Sequence, residues 1–183
     1  MTHVLLALLA AATFPAGARF TVDPAASAVH YRIVHKLHQV EGESKQLEAK
    51  VVVQDGGRVI AMVRIPATSF RSGDGNRDSH MLEVLDADRF PYVVFKGTAQ
   101  VGAEGLPPGG KVSLAGELEF HGVKRPVTVP LVVEAASGGA LRARGDFEVS
   151  LDAHQVERPS LLFVKVDDAC RISFDLLLRR DAP

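Results

Sequence analysis

The sequence predicts an all-β fold, an antiparallel barrel or sandwich of about eight strands. Two observations support this prediction. Apolar and polar residues alternate with a period of two over most of the chain after residue 28, and short turn-forming segments separate the alternating runs. Such alternation is typical of strands that bury one face and expose the other to water.

Eight runs show this pattern. In the first run, Val29, Tyr31 and Ile33 share one face of a strand. The later runs occupy residues 47–53, 59–65, 93–95, 112–120, 127–133, 141–151 and 172–176. The segments between them include DGG at 55–57, PPGG at 107–110, HG at 121–122 and SGG at 137–139. These residues favour hairpin turns, so runs that are neighbours in sequence are expected to pair as antiparallel strands.

One segment departs from the alternation. Residues 76–85 read NRDSHMLEVL and lie inside a long connection between residues 68 and 90. Asp78 or Ser79 is expected to cap a short helix near residues 76–86, with Met81, Leu82 and Leu85 on its apolar side. A connection this long in a compact domain usually has a function. The helix is expected to cover one end of the barrel, as a lid, a plug or both.

The first residues resemble a targeting segment. Residues 4–14 form an unbroken apolar run without charge, followed by PAGA at 15–18. The run is too short to span a bilayer, and the small residues match a signal-peptidase site before Arg19. We therefore expect residues 1–18 to be a signal peptide, residues 19–183 to be the barrel domain, and the protein to be periplasmic or secreted. A buried N-terminal helix is the alternative.

Charge and cysteine content exclude several classes of function. The formal net charge is −1, which argues against binding to nucleic acid because such binding needs a basic face. No later segment is long and apolar enough for stable membrane insertion. Cys170 is the only cysteine, so an intrachain disulfide is impossible. It alternates with Ile172, which favours a small buried side chain over a reactive thiol.

Four stretches resemble the YceI-like family. Residues 23–35, DPAASAVHYRIVH, resemble its D-P-x-x-S-x-V-x-F-x-V-x-H strand, and residues 76–81, NRDSHM, resemble its R-D-x-H-[LM] helix start. Residues 90–95, FPYVVF, are similar to its F-P-x-I-x-F strand. Residues 116–127, GELEFHGVKRPV, are similar to its G-x-L-x-[IF]-H-G-V-[TK]-[KR]-P-V hairpin. The four stretches follow the family's order along most of the chain.

This resemblance implies an extended antiparallel eight-stranded lipocalin-like barrel. It also implies that the barrel holds a polyisoprenoid or a similar long lipid, and that the protein is periplasmic, as members of the family commonly are. Closed sheets of about eight strands are just wide enough for one slim ligand. A barrel filled by its own side chains is the alternative.

The apolar faces of the strands are expected to form the ligand-binding lining. Glycines on the same faces, at Gly97, Gly116 and Gly145, favour open space in the interior. A cavity lined this way suits a hydrocarbon chain. The expected lining residues are Val29, Tyr31, Ile33, Val51, Val63, Val93, Phe95, Leu118, Phe120, Val129, Leu131, Phe147, Val149 and Phe174.

Polar residues near one end are expected to contact a ligand headgroup or to hold the lid. These are His35, His38, Arg77, Asp78 and His80. Arg77 and Asp78 are expected to form a local ion pair. The histidines at 35, 38 and 80 could also converge on a metal, but their spacing does not specify a metal site, so no metal is expected. His121 precedes a glycine in a tight turn, which favours a structural role.

The function predicted from sequence is that of an exported, non-enzymatic binding protein. It is expected to carry or store a long-chain isoprenoid lipid or quinone, to need no cofactor, and to be able to form a homodimer if a strand edge is left open. None of the common hydrolase, metalloprotease or phosphate-binding motifs is present. The alternative is a metal- or haem-linked periplasmic accessory protein that uses His35, His38 and His80.

Overall fold

The structure is a computed structural model that describes residues 15–35, 38–102, 106, 109–158, 160–161 and 164–182. It consists of β-strands, short 3-10 turns and one α-helix. In chain order the elements are β1 (Arg19–Val22), β2 (Ala28–His35), β3 (His38–Ser44), β4 (Glu48–Val53), β5 (Arg58–Pro66), α1 (Gly75–Val84), β6 (Tyr92–Gln100), β7 (Gly110–Phe120), β8 (Val123–Ala135), β9 (Leu141–Ser150), β10 (Ser160–Leu161), β11 (Val164–Lys165) and β12 (Ala169–Arg180).

The main sheet closes on itself to form a barrel. Its strands follow the order β1-β4-β5-β6-β7-β8-β9-β12, and β12 pairs with β1 to complete a ring of eight antiparallel strands. The closing pairs join Phe20 to Arg180 and Val22 to Leu178. The predicted eight-stranded antiparallel barrel is therefore confirmed. The sandwich alternative is wrong, because a sandwich consists of two separate packed sheets.

A bend separates β1 from β2, and another separates β3 from β4. β1 and β2 both pair with β12, one after the other along its length. β4 pairs with β1, and β3 pairs with β2. At the first bend, the Asp23 side chain accepts a hydrogen bond from Ala25 N at 3.1 Å. Ser27 Oγ donates to Asp23 O at 2.7 Å and accepts from Leu177 N at 2.9 Å. These bonds satisfy backbone groups where the strand ladder is broken.

One edge of β3 is left without a neighbouring strand in the described part of the chain. Its contact with the connection that follows β5 is a single bridge, in which Glu43 and Arg71 each donate a backbone N–H to the other's carbonyl at 2.9 Å. The bridge fastens this connection to the barrel just before α1. The homodimer expected from an open strand edge stays a prediction.

The β7–β8 hairpin shows how local sequence determines a turn. His121 and Gly122 join the two strands with φ angles of 52° and 71°. Two positive φ angles in succession are typical of the tight turn whose twist matches antiparallel strands, and glycine adopts them without strain. The hairpin expected at these residues is confirmed.

The helix starts earlier than the sequence predicted. Its N-cap is Asp74, whose side chain accepts hydrogen bonds from Asn76 N and Arg77 N at 3.0 and 3.1 Å. The expected caps, Asp78 and Ser79, lie inside the first turns. Asp74 is the cap because its carboxylate reaches these two N–H groups, whereas the Asp78 carboxylate is bonded to Ser72 upstream. Among the described residues, no helix combines the length and apolarity needed to cross a lipid bilayer.

Candidate functional site: the barrel interior

The barrel encloses a cavity of about 590 Å³. Its wall is built from β2 to β9, β12 and α1. This volume lies within the range of about 300–1,000 Å³ that is typical of small-molecule sites. In the described part of the wall, nearly every side chain is aliphatic or phenyl, because the inward positions of each strand are apolar.

All fourteen residues expected to line the interior do line this cavity. They are brought together by the register of the strands: Phe95, for example, lies beside Val63 on β5 and Leu118 on β7. The interior is therefore not filled by its own side chains, and that alternative is wrong for this structure. The role of the fourteen residues in binding a ligand stays a prediction.

The cavity wall includes residues beyond these fourteen. Ala49, Ala61 and Leu114 lie at inward positions of the same strands, and the same alternation identifies them. Val156 and Val166 also line the cavity, but they lie outside the long strands, where periodicity gives no signal. Val156 is nevertheless buried.

Helix α1 supplies Arg77 and His80, two polar residues of the cavity wall. Arg77 and His80 line the cavity from the helix, yet about half of each side chain is exposed, so they mark its mouth. The Arg77 guanidinium lies 3.8 Å from the Asp74 carboxylate, and His80 Nδ1 lies 3.7 Å from the Glu83 carboxylate. No Asp or Glu belongs to the described cavity wall. The mouth can therefore accept a polar or anionic group.

Asp78 fastens the helix instead of facing the cavity. Its carboxylate accepts hydrogen bonds from Ser72 Oγ at 2.7 Å and Ser72 N at 2.9 Å. These bonds hold the pKa of the Asp78 carboxyl below its usual value of 3.8. Their contribution to stability is therefore present at neutral pH and lost as pH falls through the lowered pKa. The expected Arg77–Asp78 ion pair is wrong, because successive residues of a helix point in different directions.

A YceI-like domain model matches residues 20–178. The chain belongs to the YceI-like family. Solved structures agree with this fold. BcnA of Burkholderia cenocepacia is 26% identical, with a TM-score of 0.72 and coverage of 85% of this chain and 98% of that chain.

Two further solved structures share the fold at lower identity. A polyisoprenoid binding domain from Saccharophagus degradans is 18% identical, with a TM-score of 0.71 and coverage of 90% of this chain and 98% of that chain. The Campylobacter jejuni YceI protein is 12% identical, with a TM-score of 0.60 and coverage of 82% and 90%. No curated protein matches the sequence.

Each of the four YceI-like stretches contributes to the cavity wall. Residues 23–35 supply part of β2, residues 76–81 part of α1, residues 90–95 the start of β6, and residues 116–127 part of the β7–β8 hairpin. Every one of these stretches contains at least two lining residues. The resemblance therefore lies in the residues that build the cavity and its mouth.

The histidines of this YceI-like barrel have different environments. The side chains of His35 and His38 lie outside the described part of the structure, so their expected role at the headgroup stays a prediction. His121 Nδ1 donates to His154 O at 3.1 Å, and His154 Nδ1 donates to Ser150 O at 2.9 Å. The structural role expected for His121 is confirmed. Among the described residues, no three His, Cys, Asp or Glu side chains are grouped to hold a metal ion.

Tyr31 is a polar side chain within the apolar wall. Its ring packs edge-on against Phe70, with 5.6 Å between ring centroids, and leans over the backbone of Gly42. Burial raises the pKa of the Tyr31 hydroxyl to about 12. It therefore stays neutral at physiological pH and is able to offer a hydrogen bond without placing a charge in the cavity.

Cys170 lies in the wall as the buried apolar residue that the alternation predicted. It is 6% exposed and borders the cavity. Burial raises the pKa of its thiol to about 12. Since the thiolate is the reactive form, the native thiol is expected to be inert.

Thiol titration checks this expectation. In native protein at pH 8, Ellman's reagent is expected to find essentially no reactive thiol, because the side chain is both inaccessible and protonated. In denaturant it should find one thiol per chain, since Cys170 is the only cysteine. Rapid reaction of the native protein would contradict the position of Cys170 in the wall.

Proposed function

We propose that this YceI-like protein is an exported, non-enzymatic carrier or store that binds a long-chain isoprenoid lipid or quinone inside its barrel. The observation that supports it most is the cavity of about 590 Å³, whose described wall is almost wholly apolar and whose mouth presents Arg77 and His80. The Saccharophagus degradans neighbour, which has the same fold, is described as a polyisoprenoid binding domain.

The energetics favour a long hydrocarbon chain. Burial of ten methylene groups contributes about 8 kcal/mol before costs. Association and ordering of the chain offset at least about 4 kcal/mol of this gain. A chain of about 15 carbons or more is therefore needed for useful affinity when polar anchors are few.

The proposal includes no chemical step. Nucleophilic catalysis needs a nucleophile beside a base, and the described cavity wall contains no Ser, Thr, Asp or Glu side chain. The Cys170 thiol in that wall has a pKa raised to about 12. These features suit a binding site more than an active site.

Native mass spectrometry of gently purified protein tests the proposal. The expected result is a bound species with the mass of an isoprenoid lipid or quinone, which solvent extraction removes and added solanesol or ubiquinone replaces. Protein without any bound small molecule, and without uptake of either added lipid, would count against a carrier function.

The headgroup is proposed to lie against Arg77 and His80. In the Arg77→Ala/His80→Ala variant, affinity for geranylgeranyl pyrophosphate is expected to fall about tenfold, the effect of losing a charge-assisted hydrogen bond at an exposed site. Affinity for geranylgeraniol, which has no charge, is expected to stay unchanged. Arg58→Ala, at the exposed start of β5, is the matched control. Equal losses for both ligands would contradict this placement of the headgroup.

Export is proposed from the apolar run at residues 4–14, which lies outside the described residues. Ala18, just before the expected cleavage site, is 4% exposed and accepts a hydrogen bond from Val53 N at 2.9 Å. Cleavage before Arg19 would remove this contact while leaving the pairs of β1 with β4 and β12. Intact mass of protein from the periplasmic fraction is expected to fit a chain that begins at Arg19. A full-length chain confined to the cytoplasm would contradict export.

A further inference from the structure

The cavity wall contains a row of very small residues. Gly97 on β6 pairs with Ala61 on β5 and with Gly116 on β7, so the three positions lie side by side at one level of the barrel. All three are on the inward faces of their strands, because Phe95 and Leu118, two positions away, line the cavity. The row therefore forms a recess in the wall.

The ring of Phe95 occupies this recess. A Cβ atom placed on Gly97 would overlap the end of the Phe95 ring and would lie 3.2 Å from the carbonyl oxygen of Ala115. Phe95 itself is 8% exposed. The tip of the ring therefore occupies the space that a side chain at position 97 would take.

A second ring is arranged in the same way on the other side of the barrel. A Cβ atom on Gly145 of β9 would lie 2.8 Å from Cζ of Phe174 on β12, which is its direct partner in the sheet. There, however, the Cβ would also overlap the backbone carbonyl of Pro130, so substitution of Gly145 would disturb the sheet itself. At Gly97, by contrast, an added Cβ would collide mainly with the end of the Phe95 side chain, which can move.

We propose that Phe95, whose ring tip lies against Gly97, determines the length of isoprenoid chain that the barrel accepts. While the ring lies in the recess, a bound isoprenoid chain can extend past the level of Phe95. When the ring is displaced toward the centre of the barrel, the isoprenoid chain must end at that level. This inference rests on the proposed function, because it assigns a specificity-determining residue within the same cavity.

Competition among chain lengths tests the proposal. Each protein is incubated with an equimolar series of all-trans isoprenoid alcohols, from farnesol to solanesol, and the bound distribution is read by native mass spectrometry. Gly97→Ala is expected to shift the distribution to shorter chains and to lower binding of the longest bound alcohol about tenfold, the effect of losing burial of roughly two methylene groups. Phe95→Ala is expected to shift it to longer chains.

The double variant separates this role from general damage. In the Phe95→Ala background, Gly97→Ala is expected to have no further effect, because no ring remains to be displaced. Gly75→Ala is the matched control, since a Cβ there meets nothing within 4 Å. Circular dichroism and thermal unfolding verify that each variant folds, and Phe95→Leu replaces Phe95→Ala if the latter does not.

The outcomes distinguish the two proposals. If wild-type protein takes up no alcohol of the series, the proposed function fails. If wild-type protein binds a defined range of lengths and the Gly97 and Phe95 variants bind the same range, the assignment to Phe95 is overturned while the carrier function stands. An effect of Gly97→Ala that persists without the Phe95 ring would also overturn it.

Discussion

Phe95→Arg is expected to abolish lipid binding and to destabilise the barrel by about 3–5 kcal/mol, the cost of an uncompensated buried charge. Phe95 is 8% exposed and lies between Val63 and Leu118 in the sheet. The described wall around it offers no carboxylate to pair with a guanidinium. Urea unfolding measures the stability loss, and native mass spectrometry with added solanesol measures binding.

An arginine on the outer face of the neighbouring strand is the control. Ala115 on β7 is exposed, and its inward-facing neighbours, Leu114 and Gly116, have the opposite orientation. Ala115→Arg is expected to keep both stability and binding close to those of wild-type protein. Normal binding by Phe95→Arg would mean that the inward register is displaced by one residue, because such a displacement moves every side chain to the other face.

Val51→Trp is expected to leave the barrel folded while lowering solanesol binding tenfold or more. The indole would fill the part of the cavity that about two methylene groups of the lipid occupy, so the burial of those groups would be lost. Val51 lines the cavity and is only half-buried. Overpacking is expected to cost about 1–3 kcal/mol of stability. Because the chain has no natural tryptophan, the new indole also reports its own environment by fluorescence.

Val52→Trp is the matched control, one residue away on the opposite face of β4. It is expected to bind solanesol normally and to emit at longer wavelength than Val51→Trp, because its indole meets water. Addition of lipid should change only the Val51→Trp spectrum. Equal emission and equal binding in the two variants would contradict the assignment of inward and outward faces.

The strands and the lining could be predicted because both follow from the same alternation. Along β7, Leu114 and Leu118 face the cavity while Ala115 and Glu117 are exposed. Period-two patterning determines which face of each strand is buried. Because short turns join strands that are neighbours in sequence, those strands are expected to pair antiparallel. The family resemblance then favoured a closed barrel over a sandwich, which alternation alone leaves open.

Features that depend on tertiary contacts could not be predicted in the same way. The bend between β1 and β2 depends on Ser27 reaching Leu177, which is distant in sequence. The helix start depends on Ser72 engaging Asp78, so that Asp74 becomes the cap. Both outcomes follow from hydrogen bonds whose partners only the folded chain brings together.

The candidate site was predictable in its apolar part and less so at its mouth. Arg77 and His80 border the cavity as expected, whereas Asp78 fastens the preceding segment. The spacing of residues in the sequence predicts the helix but not which of its faces turns toward the barrel. That orientation is set by Met81 and Val84, which pack against the core. The recess at Gly97 could not be predicted either, because it depends on how β5, β6 and β7 pair.

A crystal structure of the protein loaded with solanesol decides whether the lipid lies inside the barrel. The expected result is continuous, elongated electron density inside the barrel, in contact with Phe95, Val129 and Phe174, and with its hydroxyl end near Arg77 and His80. An interior filled by protein side chains, or lipid density found only on the outer surface, would contradict it.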